Sequence, residues 1–257
     1  MIYTTSVFYN GVDLNTLPGV NVTNYDVTEL PTRNLTVSKL ARRNRSVLTS
    51  AEYSSKIVFV YGYIGAETIN ELQEDFITLK AFVQPIEGAI RVQQGEQQIE
   101  YTGTLNAISK EWVGKNIKFT LQFNCSDPIG RAVAPANMFA PKSITTTSAT
   151  QAFVVEGSAP ALPRITVNFQ SVTTGTDKTV SLINSSTGKG IRITADFVST
   201  DILSVYSDTF EVLLNSVAID FEGTFPQFDP GASTLQYIDN FGSRNATLTA
   251  TYIKQYV

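Results

Sequence analysis

The sequence predicts a mainly β protein in two unlike halves with a single flanking α-helix, and three observations carry that reading. Short segments rich in Ile, Val, Phe, Tyr and Thr recur along most of the chain. A helical period appears once, in the first half. Gly, Pro, Asn and Asp punctuate the second half at short intervals, as turns between antiparallel strands require.

The first half opens its regular pattern at Lys56 to Ile64, dense in Ile, Val, Phe and Tyr on both faces. Such a strand is expected to be covered on both sides or to cross a closed barrel. After Gly65, Ile69, Leu72, Phe76, Leu79 and Phe82 or Val83 form one apolar helical stripe. Thr68 and Glu71 stand three apart at its start, a capping box that satisfies backbone N–H groups the helix leaves open. Pro85 follows its end. Ala89 to Gln94 and Gln98 to Leu105 read as strands joined by a turn at Gly95-Glu96, with another strand after Trp112. From Ile117 to Cys125 every odd position is apolar and every even one polar, which marks a half-buried strand ending at Asp127-Pro128.

Gly130, Pro135, Pro141 and the Ser/Thr-rich run from Ser143 to Thr150 favour a connection over a core. The expected organisation is therefore a first domain over 1–135, a linker over 136–152 and a second domain over 153–257. Beyond it, strands are expected at Ile165 to Phe169, Thr179 to Ile183, Ile191 to Phe197, Leu203 to Tyr206, Glu211 to Leu214, Val217 to Phe221 and Thr247 to Tyr252. Turns at Gly188-Lys189-Gly190, Ser207-Asp208 and Asn215-Ser216 separate them, and the pattern is that of an antiparallel sandwich.

Composition removes much chemistry. The 257 residues hold no histidine, so Ser-His-Asp and Cys-His nucleophile systems and imidazole zinc sites are excluded. The one cysteine, Cys125, lies on the apolar phase of its strand and reads as a core thiol. No cofactor is implied. The start, Met1 to Ser6, lacks the basic leader and apolar run of a signal peptide, and no stretch approaches membrane-spanning length. Synthesis in the cytoplasm with no membrane insertion is the expectation. The net charge of −4 arises wholly after residue 150, where 6 Lys+Arg face 10 Asp+Glu, a balance that gives no basic footprint for nucleic acid.

Three groups of residues remain as candidate sites. Lys39, Arg42, Arg43 and Arg45 form the densest basic cluster and read as a solvated loop, as an arm contacting a neighbouring subunit or channel wall, or as a phosphate contact without an aromatic stacking platform. Asp196, Asp201, Asp208, Glu211, Asp220 and Glu222 include enough acids for a glycosidase pair, but their positions at turns and polar strand phases are those of solvated surface. Tyr206, Phe225, Phe228, Tyr237 and Phe241 could line a sugar platform or fill a core, and the core reading is preferred.

Taken in order, Phe8-Tyr9-Asn10-Gly11, Tyr61-Gly62-Tyr63-Ile64, Leu72 to Leu79, Asp127-Pro128, Glu156-Gly157-Ser158-Ala159, Pro163-Arg164-Ile165, Gly223-Thr224-Phe225-Pro226, Asp229-Pro230-Gly231 and Tyr252 resemble the distal tail (Dit) family of long-tailed, siphovirus-type bacteriophages. The resemblance spans nearly the whole chain. It implies a β-barrel-like N-terminal domain with one flanking helix and a C-terminal galectin-like β-sandwich. It further implies a homo-hexameric ring at the tail tip, enclosing a channel through which DNA passes as cargo. Tail tube, tape-measure and tail-associated adsorption or lysin proteins are the implied partners, and the virion the implied location. Neither half has room for an inserted carbohydrate-binding module, and galectin-like describes a fold rather than sugar binding. The competing expectation is a carbohydrate-binding module that attaches to host cell wall through the second half. An enzyme is not expected.

Overall fold

Alternating apolar and polar side chains can bury one face of a strand while leaving the other to solvent, and the computed structural model builds antiparallel sheets from them. The structure describes residues 5–27, 33–39, 46–53, 55–84, 87–94 and 97–257, with the backbone alone at 33–39 and 46–53. Two compact units emerge, Met1–Val133 with Val257 and Ala134–Tyr256.

The first unit contains β1 (Val7–Tyr9), β2 (Val12–Asp13), β3 (Val20–Asp26), β4 (Arg33–Lys39), β5 (Ser46–Tyr53) and β6 (Lys56–Gly65). The helix α1 (Ile69–Val83) follows, then β7 (Gly88–Gln94), β8 (Gln97–Val113), β9 (Asn116–Cys125) and β10 (Gly130–Ala132). Hydrogen bonding orders the main sheet β2-β1-β7-β8-β9-β6-β3, with β10 on β8, while β4 and β5 pair only with each other. This is a correction to the expected barrel: among the described residues the path ends on β2 and β3 without closing.

Strand β8 connects the two parts of that sheet. Its Gln97 to Gly103 stretch pairs β7, and Thr104 to Val113 pairs β9, with a bulge between Leu105 and Ala107. The sequence pattern stops the strand at Leu105, because a bulge shifts the alternation and hides its continuation. Gly103 stands where the partner changes. A Cβ there would lie 2.8 Å from Cys125 Sγ, 3.0 Å from the Asn124 carbonyl and 3.1 Å from Ile90 Cδ1, so only glycine lets the strands meet this closely.

Helix α1 starts as its sequence dictates. Thr68 Oγ1 accepts from the Glu71 amide at 3.3 Å, and Glu71 Oε2 accepts from the Thr68 amide at 3.0 Å. Leu72, Leu79 and Val83 are buried, Phe76 and Phe82 are half-buried, and α1 packs on β6 and β9. Full burial of each such aliphatic side chain contributes about 1.5–3 kcal/mol. Ile69, expected in the stripe, is 66% exposed because the first turn extends past the sheet contact. On β6, Val58, Val60 and Ile64 are buried, whereas Phe59 and Tyr61 on the other face are only half-covered. The expected two-sided burial is thus complete on one side alone. On β9 Ile117, Phe119, Leu121, Phe123 and Cys125 are all buried, as the alternation predicts.

The second unit begins at Ala134, within the stretch 1–135 expected for the first domain, and takes in the segment read as a linker. Residues 136–152 hold β11 (Ala136–Asn137), β12 (Lys142–Ile144) and most of β13 (Ser148–Val155), with Met138 and Ile144 buried. Threonine and serine tolerate a pleated edge well, so their run is compatible with strand as well as linker. Then come β14 (Arg164–Val172), β15 (Lys178–Asn184), β16 (Gly190–Ala195), β17 (Ile202–Tyr206), β18 (Glu211–Leu214), β19 (Val217–Ala218) and β20 (Glu222–Gly223). The chain ends with β21 (Gly231–Asp239), β22 (Arg244–Tyr252) and β23 (Gln255–Tyr256).

One sheet runs β11-β22-β14-β17-β18-β19 with β12 on β22, and a second runs β13-β21-β15-β16-β20. Ile165, Val167 and Phe169 from the first sheet and Val180, Leu182 and Leu235 from the second belong to one buried cluster, the arrangement of a sandwich. Asn215 and Ser216 both take positive φ, 51° and 68°, in the two-residue turn between β18 and β19. Strand β21 escapes the sequence pattern because Ser233 and Asp239 occupy its buried phase beside Leu235 and Tyr237.

Asp239 is buried for a reason. Its side chain is 0% exposed, and Oδ1 accepts from Arg244 Nη2 at 2.7 Å and from the Phe241 amide at 2.9 Å. Arg244, 6% exposed, also donates to the Phe241 carbonyl, so one ion pair fastens the β21–β22 turn. Removing one partner of a buried pair strands the other charge. Arg244→Met is expected to destabilise the second unit by about 3–5 kcal/mol in urea denaturation. Gly103→Val is expected to destabilise the first unit by about 1–3 kcal/mol through overpacking, read in the same way.

Candidate assembly surfaces

Most of the acidic side chains that could do chemistry are engaged in structure. Asp201 is buried and accepts from the Val198 amide at 2.8 Å and from Asn215 Nδ2 at 2.7 Å, while Asn215 Oδ1 accepts from the Ile202 amide. Asp208 accepts two short bonds from Arg164, whose guanidinium lies 5.3 Å from the Tyr206 ring centroid. Asp196 accepts from the Asp177 amide, Glu211 accepts from Thr209, and Asp220 and Glu222 are exposed. Among the described residues no three His, Cys, Asp or Glu side chains converge on a possible metal position. No helix among them is long and apolar enough to cross a membrane.

Cys125 pairs with Lys56 across β9 and β6, beside the ring of Tyr101, which lies 5.5 Å from the Lys56 ammonium. Burial pushes the thiol up to about 11, with Lys56 opposing, and pushes the Tyr101 hydroxyl up to about 12. Burial also pulls the Lys56 ammonium below its usual range. A thiol held protonated in a core is neither nucleophile nor ligand.

Of the candidate basic residues, Lys39 ends β4, and its side chain is not described. Arg42, Arg43 and Arg45 lie outside the described residues, in the sequence that connects β4 to β5. The two strands pair from Arg33 with Tyr53 to Lys39 with Ser46.

The candidate aromatics separate. Phe228, Tyr237 and Phe241 are buried in the sandwich core, whereas Tyr206 and Phe225 are half-buried. The solvent face of the β13-β21-β15-β16-β20 sheet presents Thr150, Thr234, Gln236, Ser181, Arg192 and Thr194 with Val154, Ile183 and Ile238 among them, and no exposed or half-buried aromatic. A depression of about 360 Å³ there is bordered by Ser181, Arg192, Glu222 and the backbone of Gly190 and Gly223. Without a ring on which a sugar can stack, this face has polar groups but no platform.

On the first unit, Phe59, Tyr61 and Tyr63 follow one another along the outer face of β6, with Phe59 and Tyr61 stacked at 6.2 Å. Beside them a depression of about 630 Å³ is lined by Asn24, Tyr25, Asp26, Tyr61 and Lys118. Trp112 at the end of β8 and Ile69 and Ile77 on α1 are 46%, 66% and 64% exposed. Large apolar side chains left in water on several elements are the material of protein interfaces. Sequence patterning misses the β6 stripe because its residues alternate with buried valines and look like core from both sides.

Residues 156–256 match the family described as siphovirus-type tail component, C-terminal domain. The crystal structure of the SPP1 Dit protein, described as a paradigm of the hub adsorption apparatus in phages that infect Gram-positive bacteria, covers 98% of this chain and 99% of its own. That match has a TM-score of 0.71 at 18% identity. Chains of the phage P2 baseplate in its activated conformation, with Ca and with Sr, align at TM-scores of 0.42 and 0.38 and identities of 8% and 7%. They cover 97% and 95% of this chain and 97% of their own. No curated protein sequence matches the chain. Residues 156–256 are thus similar to the siphovirus-type tail component family, and the chain as a whole shares the fold of the SPP1 Dit protein.

The raised thiol pKa gives a pH signature. Unfolded Cys125 loses its proton near 9.0 and folded Cys125 near 11, so between these values the folded chain holds more protons and stability falls as pH rises. The contribution is full below pH 9 and gone by about pH 11, a change of about 2–3 kcal/mol. Wild-type protein is expected to lose more stability over that interval than Cys125→Ala in urea melts. Equal losses would contradict the assignment.

Proposed function

We propose that this chain is a structural virion protein that forms a ring at the distal end of a siphovirus-type tail, joining the tail tube to the adsorption apparatus around the DNA channel. The observation that carries the reading is the fold match to SPP1 Dit over 98% of this chain and 99% of that one, with the tail-component family model on residues 156–256. The finer reading is a homo-hexamer synthesised in the host cytoplasm, with a first domain that encloses the channel and a galectin-like second domain. Tail tube, tape-measure and adsorption or lysin proteins are its proposed neighbours.

Physical features support an assembling rather than a catalytic role. Among the described residues the sheet ends at β2 and β3, where side chains of the same chain take up the Val22 and Tyr25 amides and the Thr23 carbonyl, and closed cyclic symmetry lets every copy bury the same two patches. An isolated two-stranded hairpin is marginal in water, so the β4–β5 pair is expected to draw stability from an adjacent subunit. Lys39, Arg42, Arg43 and Arg45 are proposed as its subunit or channel contact. The carbohydrate-binding alternative gains nothing from the polar sheet face described above.

Deleting the gene from the phage is expected to give particles without a functional tail tip, and the protein is expected in purified virions by mass spectrometry. Its absence from virions would overturn the proposal. Arg42→Ser, Arg43→Ser and Arg45→Ser together are expected to leave the monomer folded while weakening attachment to tails, more so at high salt. Tails that assemble equally well at every salt concentration would remove the arm from the account.

A further inference from the structure

We propose that Phe210, Phe221 and Phe225 form a docking site for a segment of a partner protein that presents an apolar side chain beside Lys or Arg. This site goes beyond the ring and does not depend on it. Phe210 is the last residue of the turn between β17 and β18, has φ 59° and is 66% exposed. Glycine or asparagine suits that left-handed position, and a bulky side chain there is rare because its Cβ crowds the backbone. The fold gains little from the ring, which turns outward.

The cluster has a fixed base. Phe225 packs against the buried core of the sandwich, and the other two rings meet it edge to face, Phe210 at 5.5 Å and 77° and Phe221 at 4.8 Å and 68°. Phe221 is 38% exposed. Rings set nearly perpendicular enclose a notch, which accepts an aliphatic or aromatic side chain better than the flat face of a sugar. Anchored aromatics of this kind are the residues that dominate binding energy at protein interfaces.

Charge specifies the occupant. Residues 207–230 contain Asp208, Glu211, Asp220, Glu222 and Asp229 and not one Lys or Arg. Among the described residues only Asp208 of these has an ion-pair partner, Arg164. Glu222 lies opposite Arg192 across β20 and β16, so the acids that flank the rings without a paired cation are Glu211, next to Phe210, and Asp220, next to Phe221; an apolar notch flanked by them selects a basic segment and speeds its encounter.

Panning a random twelve-residue peptide library against the immobilised full-length chain tests this. Enriched peptides are expected to place Leu, Phe or Trp beside Lys or Arg, to bind more weakly at 500 mM than at 50 mM NaCl, and to lose at least tenfold in affinity for Phe210→Asn/Phe221→Ser. Asparagine tolerates the left-handed position, so the variant is expected to match the parent in urea denaturation. Glu211→Lys/Asp220→Lys, which keeps all three rings, provides an independent second variant and is expected to lose affinity similarly. Enriched peptides that are acidic, or that bind both variants as tightly as the parent, would overturn the proposal. So would light scattering in which the ring variant dissociates, since the face would then belong to a second copy of this chain.

Discussion

Strand pairing, which in the first unit stops at β2 and β3 among the described residues, is the constraint on which the proposed assembly turns. With one α-helix among the described residues, the backbone amides and carbonyls must be satisfied largely between strands, and an open sheet ends in strands with one unpaired edge. The first unit reaches seven strands in its main path and stops at β2 and β3, while β4 and β5 stand apart as a pair. Natural proteins guard such edges, cover them or use them. The ring assembly proposed here uses them.

Within each unit, a few close contacts decide whether the strands can meet at all. Gly103 lets β8 change partners over the thiol of Cys125, and the Arg244–Asp239 pair closes the turn that brings β21 and β22 back into opposite sheets. Gly103 is buried, and the carboxylate of Asp239 is fully buried beneath the turn that Arg244 closes. The chemistry-bearing residues are spent in the same way: Cys125 is protonated in a core, Asp201 holds a turn, and Arg164 neutralises Asp208. What remains outside is shape, aromatic surface and charge.

Much of this was legible in the residues. The Thr68–Glu71 capping box, the Leu72–Leu79–Val83 stripe and the odd-position alternation of β9 are local patterns with one structural solution. The missed elements share a physical cause, which is that long-range pairing overrides local composition. Strand β21 hides buried polar residues whose partners lie elsewhere in the chain, β12 and β13 sit in a Ser/Thr-rich run, and the bulge after Leu105 masks the second half of β8. Phe210 and Phe221 carry no periodic signal because they lie at a turn and between short strands, where only backbone conformation and exposure distinguish them.

Native mass spectrometry of the purified full-length chain across a concentration series, with electron microscopy of the same samples, tests the central claim most directly. The account predicts a closed ring with a central opening at six times the subunit mass, populated as concentration rises. A chain that stays monomeric at every concentration, and that also fails to form rings when mixed with purified tails lacking their tips, would contradict it.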